Sequence, residues 1–97
     1  MLTVVRTDAP QEIRLRMEGV LDVTRVSELT ALTQELSPEA GQRVVVDLSG
    51  LRLIDCAGAG ALFSLCRRGR ERGSRVQIEG VRDQPLVLLR QLGLERQ

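Results

Sequence analysis

The chain has 97 residues, of which 42% are hydrophobic and 28% are charged, and its formal net charge is +1. This length allows a single small domain over residues 1–97, and the composition is that of a folded chain rather than a disordered one. The near-neutral charge gives no general attraction to nucleic acid, so we predict no nucleic-acid partner. The chain contains no His, which excludes Ser-His-Asp and Cys-His catalysis as well as His-based zinc sites. We therefore predict a protein that is not an enzyme and that uses no metal and no cofactor.

Membrane and redox signals are also absent from the sequence. No apolar run approaches the roughly 18 residues that a membrane-spanning helix needs. The first residues lack the basic start and long apolar stretch of a secretory signal. The spacing of Cys56 and Cys66 fits neither a disulfide framework nor a zinc site. We expect a cytoplasmic protein that does not span a membrane and whose thiols are reduced.

The first part of the chain predicts two strands. A short apolar run over Leu2–Arg6 indicates the first strand, and the residues at 7–10 indicate a turn. From Glu12 onward apolar and charged residues alternate, which is typical of a strand with one buried and one wet face. The buried face carries Ile13, Leu15 and Met17. We expect Gly19 to end this strand.

The next two elements are a helix and a central strand. The helix is predicted to begin near Thr24 and to end at Ser37, because Pro38 disfavours helical backbone in the residue before it. Its buried stripe consists of Val26, Leu29, Leu32 and Leu36. Val44–Leu48 shows little alternation, which predicts a strand buried on both faces at the centre of the sheet.

Three further elements complete the chain. A second helix is predicted after Asp55 and ends before Gly73, a C-terminal cap. Its inner face carries Leu62, Leu65, Cys66 and Gly69. Residues 75–80 alternate and predict the last strand. Asp83 is the predicted N-cap of a last helix, which Gly93 closes.

The predicted order is β-β-α-β-α-β-α. Strands that alternate with helices favour parallel crossover connections. We therefore predict an α/β fold with a small, mixed, largely parallel four-stranded sheet and helices packed mainly on one face. The charged face of the second strand fits a sheet whose other face is open to solvent.

The turn Asp55-Cys56-Ala57-Gly58 is the most informative motif. A side chain there lies beside the unpaired N–H groups of a helix start, which favour negative charge. A hydroxyl at this point would be a site for phosphorylation, but Cys56 places a thiol there. The simpler interpretation is that Asp55 or Cys56 caps the helix and that Cys56 packs as a small apolar residue. The two interpretations are compatible.

Residues 57–61 alternate Ala and Gly, which predicts close approach of another backbone, from this chain or from a partner. Asp22 is expected either to supply charge to a helix start or to line the same rim as Asp55. Asp47 lies inside the central strand, where a buried carboxylate needs partners. We expect the Arg residues between 67 and 75 to be solvated side chains at a helix end. The alternative is that they bind anionic lipid or an acidic helix of a partner.

Several segments resemble the STAS domain family, which includes the bacterial anti-sigma factor antagonists. The segments that carry the resemblance are Gly19–Asp22, Val46–Leu51, Ile54–Gly58 and Gly73–Val81, and the resemblance as a whole covers nearly the whole chain. The resemblance implies a small sheet flanked by helices. It also implies a non-catalytic, phosphorylation-switched protein that docks on an anti-sigma factor of the Ser/Thr kinase type.

By this resemblance Cys56 occupies the phosphoacceptor position. The implied docking surface consists of Asp22, Asp55, Cys56, Ala57, Gly58, Ala59 and Gly60. The chain departs from the family pattern because a thiol is not a usual substrate of a Ser/Thr kinase. The resemblance then implies a constitutive antagonist or a branch without the switch.

Two other hypotheses remain open at this point. Single-domain STAS proteins also serve as cytoplasmic subunits of ABC transporters that move phospholipids, where they bind the ATPase subunit. The stretch Gly73–Val81 resembles the corresponding part of those proteins. A thiol-based sensor or enzyme that uses Cys56 is the third hypothesis, although no basic residue is adjacent to activate the thiol. Whether the protein forms a homodimer is not fixed by the sequence.

Overall fold

The structure, a computed structural model, describes residues 1–94. Within them the sheet has the strand order β1-β2-β3-β4. The strands are β1 (Leu2–Ala9), β2 (Glu12–Leu21), β3 (Arg43–Ile54) and β4 (Val76–Glu79). The α-helices are α1 (Val26–Glu35), α2 (Cys56–Glu71) and α3 (Asp83–Gln91), and a 3₁₀ turn at Val23–Arg25 precedes α1.

The sheet is mixed and largely parallel, as predicted. β1 pairs with β2 in antiparallel fashion, whereas β2, β3 and β4 are mutually parallel. β3 therefore lies at the centre, and Val44, Val45 and Val46 are all fully buried. The predicted element order and fold class are confirmed.

One face of the sheet carries the hydrophobic core. Side chains of β2 and β3 on this face pack in one cluster with residues of all three α-helices. The predicted inner face of α2 is confirmed, because Leu62, Leu65, Cys66 and Gly69 are all buried. Burial of these apolar side chains is the main force that holds the helices on the sheet.

The other face of the sheet carries charged side chains in ion pairs. Arg14 Nη1 lies 3.1 Å from Glu79 Oε2 and 3.7 Å from Asp47 Oδ2. The backbone N–H of Ser49 donates to Asp47 Oδ1 at 2.9 Å. This hydrogen bond, with the nearby Arg14, lowers the pKa of Asp47 below its ordinary value. The partners that a carboxylate in the central strand requires are thus present.

Several predicted boundaries near the strands were wrong. β1 continues to Ala9, so that the hairpin turn is confined to Pro10 and Gln11. β2 continues past Gly19, which has a φ of +102° beside irregularities in the pairing with β3. A residue with a side chain disfavours this backbone conformation, so the glycine permits a bulge rather than a strand end. β3 likewise continues through such irregularities to Ile54.

The helix starts also differ from prediction. The segment near Thr24 is a 3₁₀ turn, and α1 ends at Glu35 rather than at Ser37. Asp83 was predicted as the N-cap of α3, but Arg82 holds that position and makes no side-chain cap hydrogen bond. Asp83 is the first residue of α3 and has a φ of +58°. Because its backbone is left-handed, Asp83 does not have the extended conformation of a capping residue.

Candidate protein-docking site

The predicted site lies where two neighbouring parallel strands end. Leu21 at the end of β2 pairs with Ile54 at the end of β3. The backbone N–H of Asp55 then donates to the carbonyl oxygen of Leu21 at 3.2 Å. The 3₁₀ turn and α2 start directly after these strand ends, so both helix starts lie at one edge of the sheet.

Asp55 connects the two helix starts. Its Oδ1 accepts the backbone N–H of Gly58 at 2.7 Å, which makes it the N-cap of α2. Its Oδ2 accepts the backbone N–H of Val23 at 3.0 Å. One carboxylate thereby satisfies N–H groups of two segments that are far apart in the chain and fixes their relative position.

Asp22 lies on the same rim and caps the 3₁₀ turn. Its Oδ1 accepts the backbone N–H of Thr24 at 3.0 Å and also the hydroxyl of Thr24. These hydrogen bonds stabilise the ionised form, and the bond from the Thr24 hydroxyl is the largest cause that lowers the pKa of Asp22. Both acidic residues named from the sequence therefore have a structural role at the rim.

The glycines of the turn differ in what surrounds them. A Cβ built on Gly58 would overlap the backbone oxygen of Leu21 and lie 2.9 Å from its Cγ. The backbone approach predicted from the Gly-Ala run is therefore an approach to this chain's own β2. Gly60 faces open space, with nothing within 4 Å of a Cβ built there.

The exposed part of the predicted surface is smaller than the sequence indicated. Gly58 and Ala59 are buried, so their side-chain positions offer no area to a partner. Cys56, Ala57 and Gly60 are exposed. We call the exposed residues at the start of α2, namely Cys56, Ala57 and Gly60, the docking turn.

The two cysteines have opposite environments. Cys56 is exposed, so its side chain does not pack in the core. Cys66 is buried against the sheet, and the loss of solvent raises the pKa of its thiol to about 11.

Within residues 1–94 no group of three or more His, Cys, Asp or Glu side chains is placed to hold a metal ion. No helix in the same part of the chain is long and apolar enough to cross a bilayer.

Sequence reasoning missed several residues near this edge. Val23 and Leu53 are 66% and 51% exposed, and they add apolar surface at the strand ends. Leu53 belongs to the part of β3 that was not predicted as strand, where Leu51, Leu53 and the charged Arg52 alternate.

The amide of Gln84 accepts the N–H of Ile54 and donates to its carbonyl oxygen, both at 2.9 Å. No sequence pattern indicates this last contact, because it joins side chain and backbone across distant segments.

Residues 4–96 match the family described as "Mlab, STAS domain". An anti-sigma factor antagonist STAS domain from Rhodobacter sphaeroides is similar, with a TM-score of 0.70 and 28% identity over 81% of this chain and 86% of that one. A search of curated proteins found no match.

Two further structures share the fold at lower identity. The anti-sigma factor antagonist SpoIIAA in its unphosphorylated form has a TM-score of 0.78 and 15% identity, over 96% of this chain and 83% of that one. A sulfate transporter family protein from Wolinella succinogenes has a TM-score of 0.73 and 17% identity, over 91% of this chain and 71% of that one.

Proposed function

The chain belongs to the STAS domain family, and on this premise we propose that it is a non-catalytic protein-binding regulator of the anti-sigma factor antagonist type. Its partner is an anti-sigma factor of the Ser/Thr kinase type. The docking turn, with Asp22 and Asp55 behind it, forms the contact surface. Cys56 occupies the position of the phosphorylated residue. The process regulated is transcription in a bacterial cytoplasm.

The observation that carries this proposal is the exposure of Cys56 on a rigid helix start. Asp55 fixes α2 against the 3₁₀ turn, and close packing of Gly58 on Leu21 fixes it against β2. A rigid, exposed surface loses little conformational entropy when a partner binds. The exposed apolar side chains of Val23 and Leu53 lie at the same edge of the sheet, and such apolar area favours a protein partner.

The thiol of Cys56 also determines whether phosphorylation can regulate the protein. A phosphate added at the start of α2 would lie beside backbone N–H groups and place about −1.5 to −2 charges on the docking turn. Cys56 lacks the hydroxyl that a Ser/Thr kinase modifies. We infer that the unmodified, binding-competent form is permanent in this protein.

The second candidate function is a cytoplasmic subunit of an ABC-type phospholipid transporter that binds the ATPase subunit. The same thiol favours it, because a lasting subunit contact requires no phosphorylation switch. It would use the docking turn in the same way. The two candidates therefore differ in partner rather than in surface.

The test uses purified full-length protein with candidate partners encoded in the same genome. Isothermal titration with the kinase-type anti-sigma factors and, separately, with ABC ATPase subunits identifies the partner class. Saturable binding to an anti-sigma factor supports the antagonist function. Binding to an ATPase subunit alone replaces it with the second candidate.

Phosphorylation by the bound kinase tests the regulatory part. With ATP, the wild-type protein is expected to acquire no phosphate, whereas Cys56→Ser, which supplies a hydroxyl, becomes a substrate. Phosphate on Cys56 of the wild-type protein would overturn the unswitched form. A Cys56→Ser protein that binds but stays unmodified would contradict the phosphoacceptor position.

A further inference from the structure

The free edge of β1 has an exposed backbone that nothing in the described chain covers. The backbone N–H of Val20 donates to the carbonyl oxygen of Met1 at 2.8 Å. Hydrogen-bonded pairs alternate along an antiparallel ladder, so Thr3, Val5 and Thr7 direct their backbone groups to β2. The backbone groups of the alternate residues, Leu2, Val4, Arg6 and Asp8, therefore point outward. Within residues 1–94 no hydrogen bond reaches these outward groups.

The two edges of the sheet differ in protection. β4 is only 4 residues long, and short edge strands resist further pairing. β1 is 8 residues long and contains no Pro, no Lys and no interruption of its pairing with β2. Charge protects this edge weakly, because Arg6 Nε lies 2.7 Å from Asp8 Oδ1 and the two charges offset each other. β1 is therefore the less protected of the two edges.

The side chains on one face of β1, those of Thr3, Val5 and Thr7, are complementary to the same face of a second copy of this strand. An antiparallel pair centred on Val5 places Val5 opposite its equivalent and Thr3 opposite Thr7 of the other copy. Pairs of β-branched side chains and Thr–Thr pairs are favourable across strands. Val5 is 49% exposed on the sheet face that otherwise carries the charged side chains of β2, and this register covers it.

The hydrogen bonds select the same register. With Val5 at the centre, Val4 pairs with Arg6 and Leu2 pairs with Asp8, so every outward N–H and C=O finds a partner. A register centred on Thr7 would place Val4 opposite Pro10, which has no N–H. A register centred on Arg6 would place two guanidinium groups opposite each other.

We propose that two copies of this chain associate through antiparallel pairing of their β1 edges, centred on Val5, to form one continuous sheet across the dimer. The docking turns lie away from this edge, at the starts of the α2 helices, so each copy keeps its own. The interface is small, and such interfaces form weak, concentration-dependent complexes. This association is independent of the partner proposed above.

Disulfide trapping tests the register. Val5 and its equivalent form a non-hydrogen-bonded pair, whose Cα separation of about 4.5 Å is compatible with a disulfide. In a Cys56→Ser background, Val5→Cys is expected to give a disulfide-linked dimer under mild oxidation. Thr3→Cys and Thr7→Cys are matched controls, because each of these residues faces a different residue in the other copy. Equal or faster linkage of either control would overturn the register.

Sedimentation equilibrium tests the association itself, with protein up to about 1 mM because the interface is small. The wild-type protein is expected to show a monomer–dimer equilibrium. Arg6→Pro removes an outward N–H without removing a bond to β2, so it is expected to remain monomeric. Arg6→Ala keeps that N–H and is expected to dimerise. A wild-type protein that stays monomeric throughout, or an Arg6→Pro variant that dimerises as the wild type does, overturns the proposal.

Discussion

The carboxylate of Asp55 accepts the backbone N–H of Val23 at 3.0 Å, and this bond joins the 3₁₀ turn to the start of α2. The other oxygen of the same carboxylate caps α2 through Gly58. This one carboxylate therefore contributes to the position of Cys56 relative to Asp22, together with the contacts of Asp55 and Gly58 with the backbone of Leu21.

Asp55→Ala is expected to destabilise the protein by about 1–2 kcal/mol, the usual effect of removing an N-cap. Asp55→Asn keeps one side-chain oxygen that can accept one of the two N–H groups, so we expect a smaller decrease in the free energy of unfolding. Urea unfolding followed by circular dichroism gives both free energies of unfolding. An Asp55→Ala protein as stable as the wild type would show that the rim is held by other contacts.

Gly58→Ala and Gly60→Ala form a matched pair on the same helical turn. Gly58→Ala forces a methyl group into the backbone of Leu21, and such overpacking destabilises by about 1–3 kcal/mol. Gly60→Ala meets nothing within 4 Å, so it is expected to stabilise the protein by up to about 1 kcal/mol through helix propensity. Thermal unfolding of both variants measures the contrast. Equal effects would mean that α2 does not approach β2 as described.

Gln84 is expected to hold the start of α3 on the end of β3. Gln84→Ala removes both hydrogen bonds to Ile54 and leaves backbone groups to water. The free energy of unfolding is expected to decrease by about 1–2 kcal/mol, because each such hydrogen bond contributes about 1 kcal/mol net. Amide hydrogen exchange at Ile54 measures the local effect. Unchanged protection of that amide would remove Gln84 from this role.

The lowered pKa of Asp47 predicts that the stability of the protein depends on pH in the acid range. The hydrogen bond from the backbone N–H of Ser49 is the largest cause that holds its pKa in the folded protein below the ordinary value of an aspartate. A lowered folded pKa means that the stabilisation is fully present above the unfolded pKa and is lost as the pH falls through the folded value. The stability difference between the wild-type protein and Asp47→Asn is therefore expected to shrink as the pH falls below the unfolded pKa of about 3.9. A difference that stays constant as the pH falls through this region would contradict the lowered pKa of Asp47.

The two thiols are expected to differ strongly in reactivity. Burial keeps Cys66 protonated, since its pKa is raised to about 11, and it also blocks access. A thiol reagent such as DTNB at neutral pH is expected to label Cys56 in the native protein and both cysteines only after denaturation. Cys56→Ser removes the native signal, whereas Cys66→Ser keeps it. Rapid native labelling of the Cys56→Ser protein would show that the core opens near Cys66.

The sequence predicted most of the fold because its signals were local. The alternation around Ile13 and the apolar run at Val44 fixed the type and order of the strands, and the spacing of Leu62, Leu65 and Cys66 fixed the inner face of α2. Strand ends were harder to predict. Glycine is common at turns, but Gly19 and Gly50 lie inside strands with irregular pairing. These strands continue because they pair with residues that are distant in the chain.

The site was predicted in part for the same reason. The N-cap at Asp55 depends on residues that follow it directly, and it is visible in the sequence. The bond from Asp55 to Val23 and the contact of Gly58 with Leu21 depend on how β2 and β3 end side by side. Burial of Ala59 follows from the rotation of α2 on the sheet, which the repeated Ala and Gly residues do not specify.

Partner affinity as a function of charge at Cys56 tests the central claim most directly. Titration calorimetry with the kinase-type anti-sigma factor would compare the wild-type protein, Cys56→Asp, Cys56→Ser and Gln77→Glu, which adds a charge on the opposite face of the sheet. Cys56→Asp is expected to raise Kd by at least about tenfold, while Cys56→Ser and Gln77→Glu change it little. Wild-type affinity in a folded Cys56→Asp protein would contradict the docking turn as the contact surface.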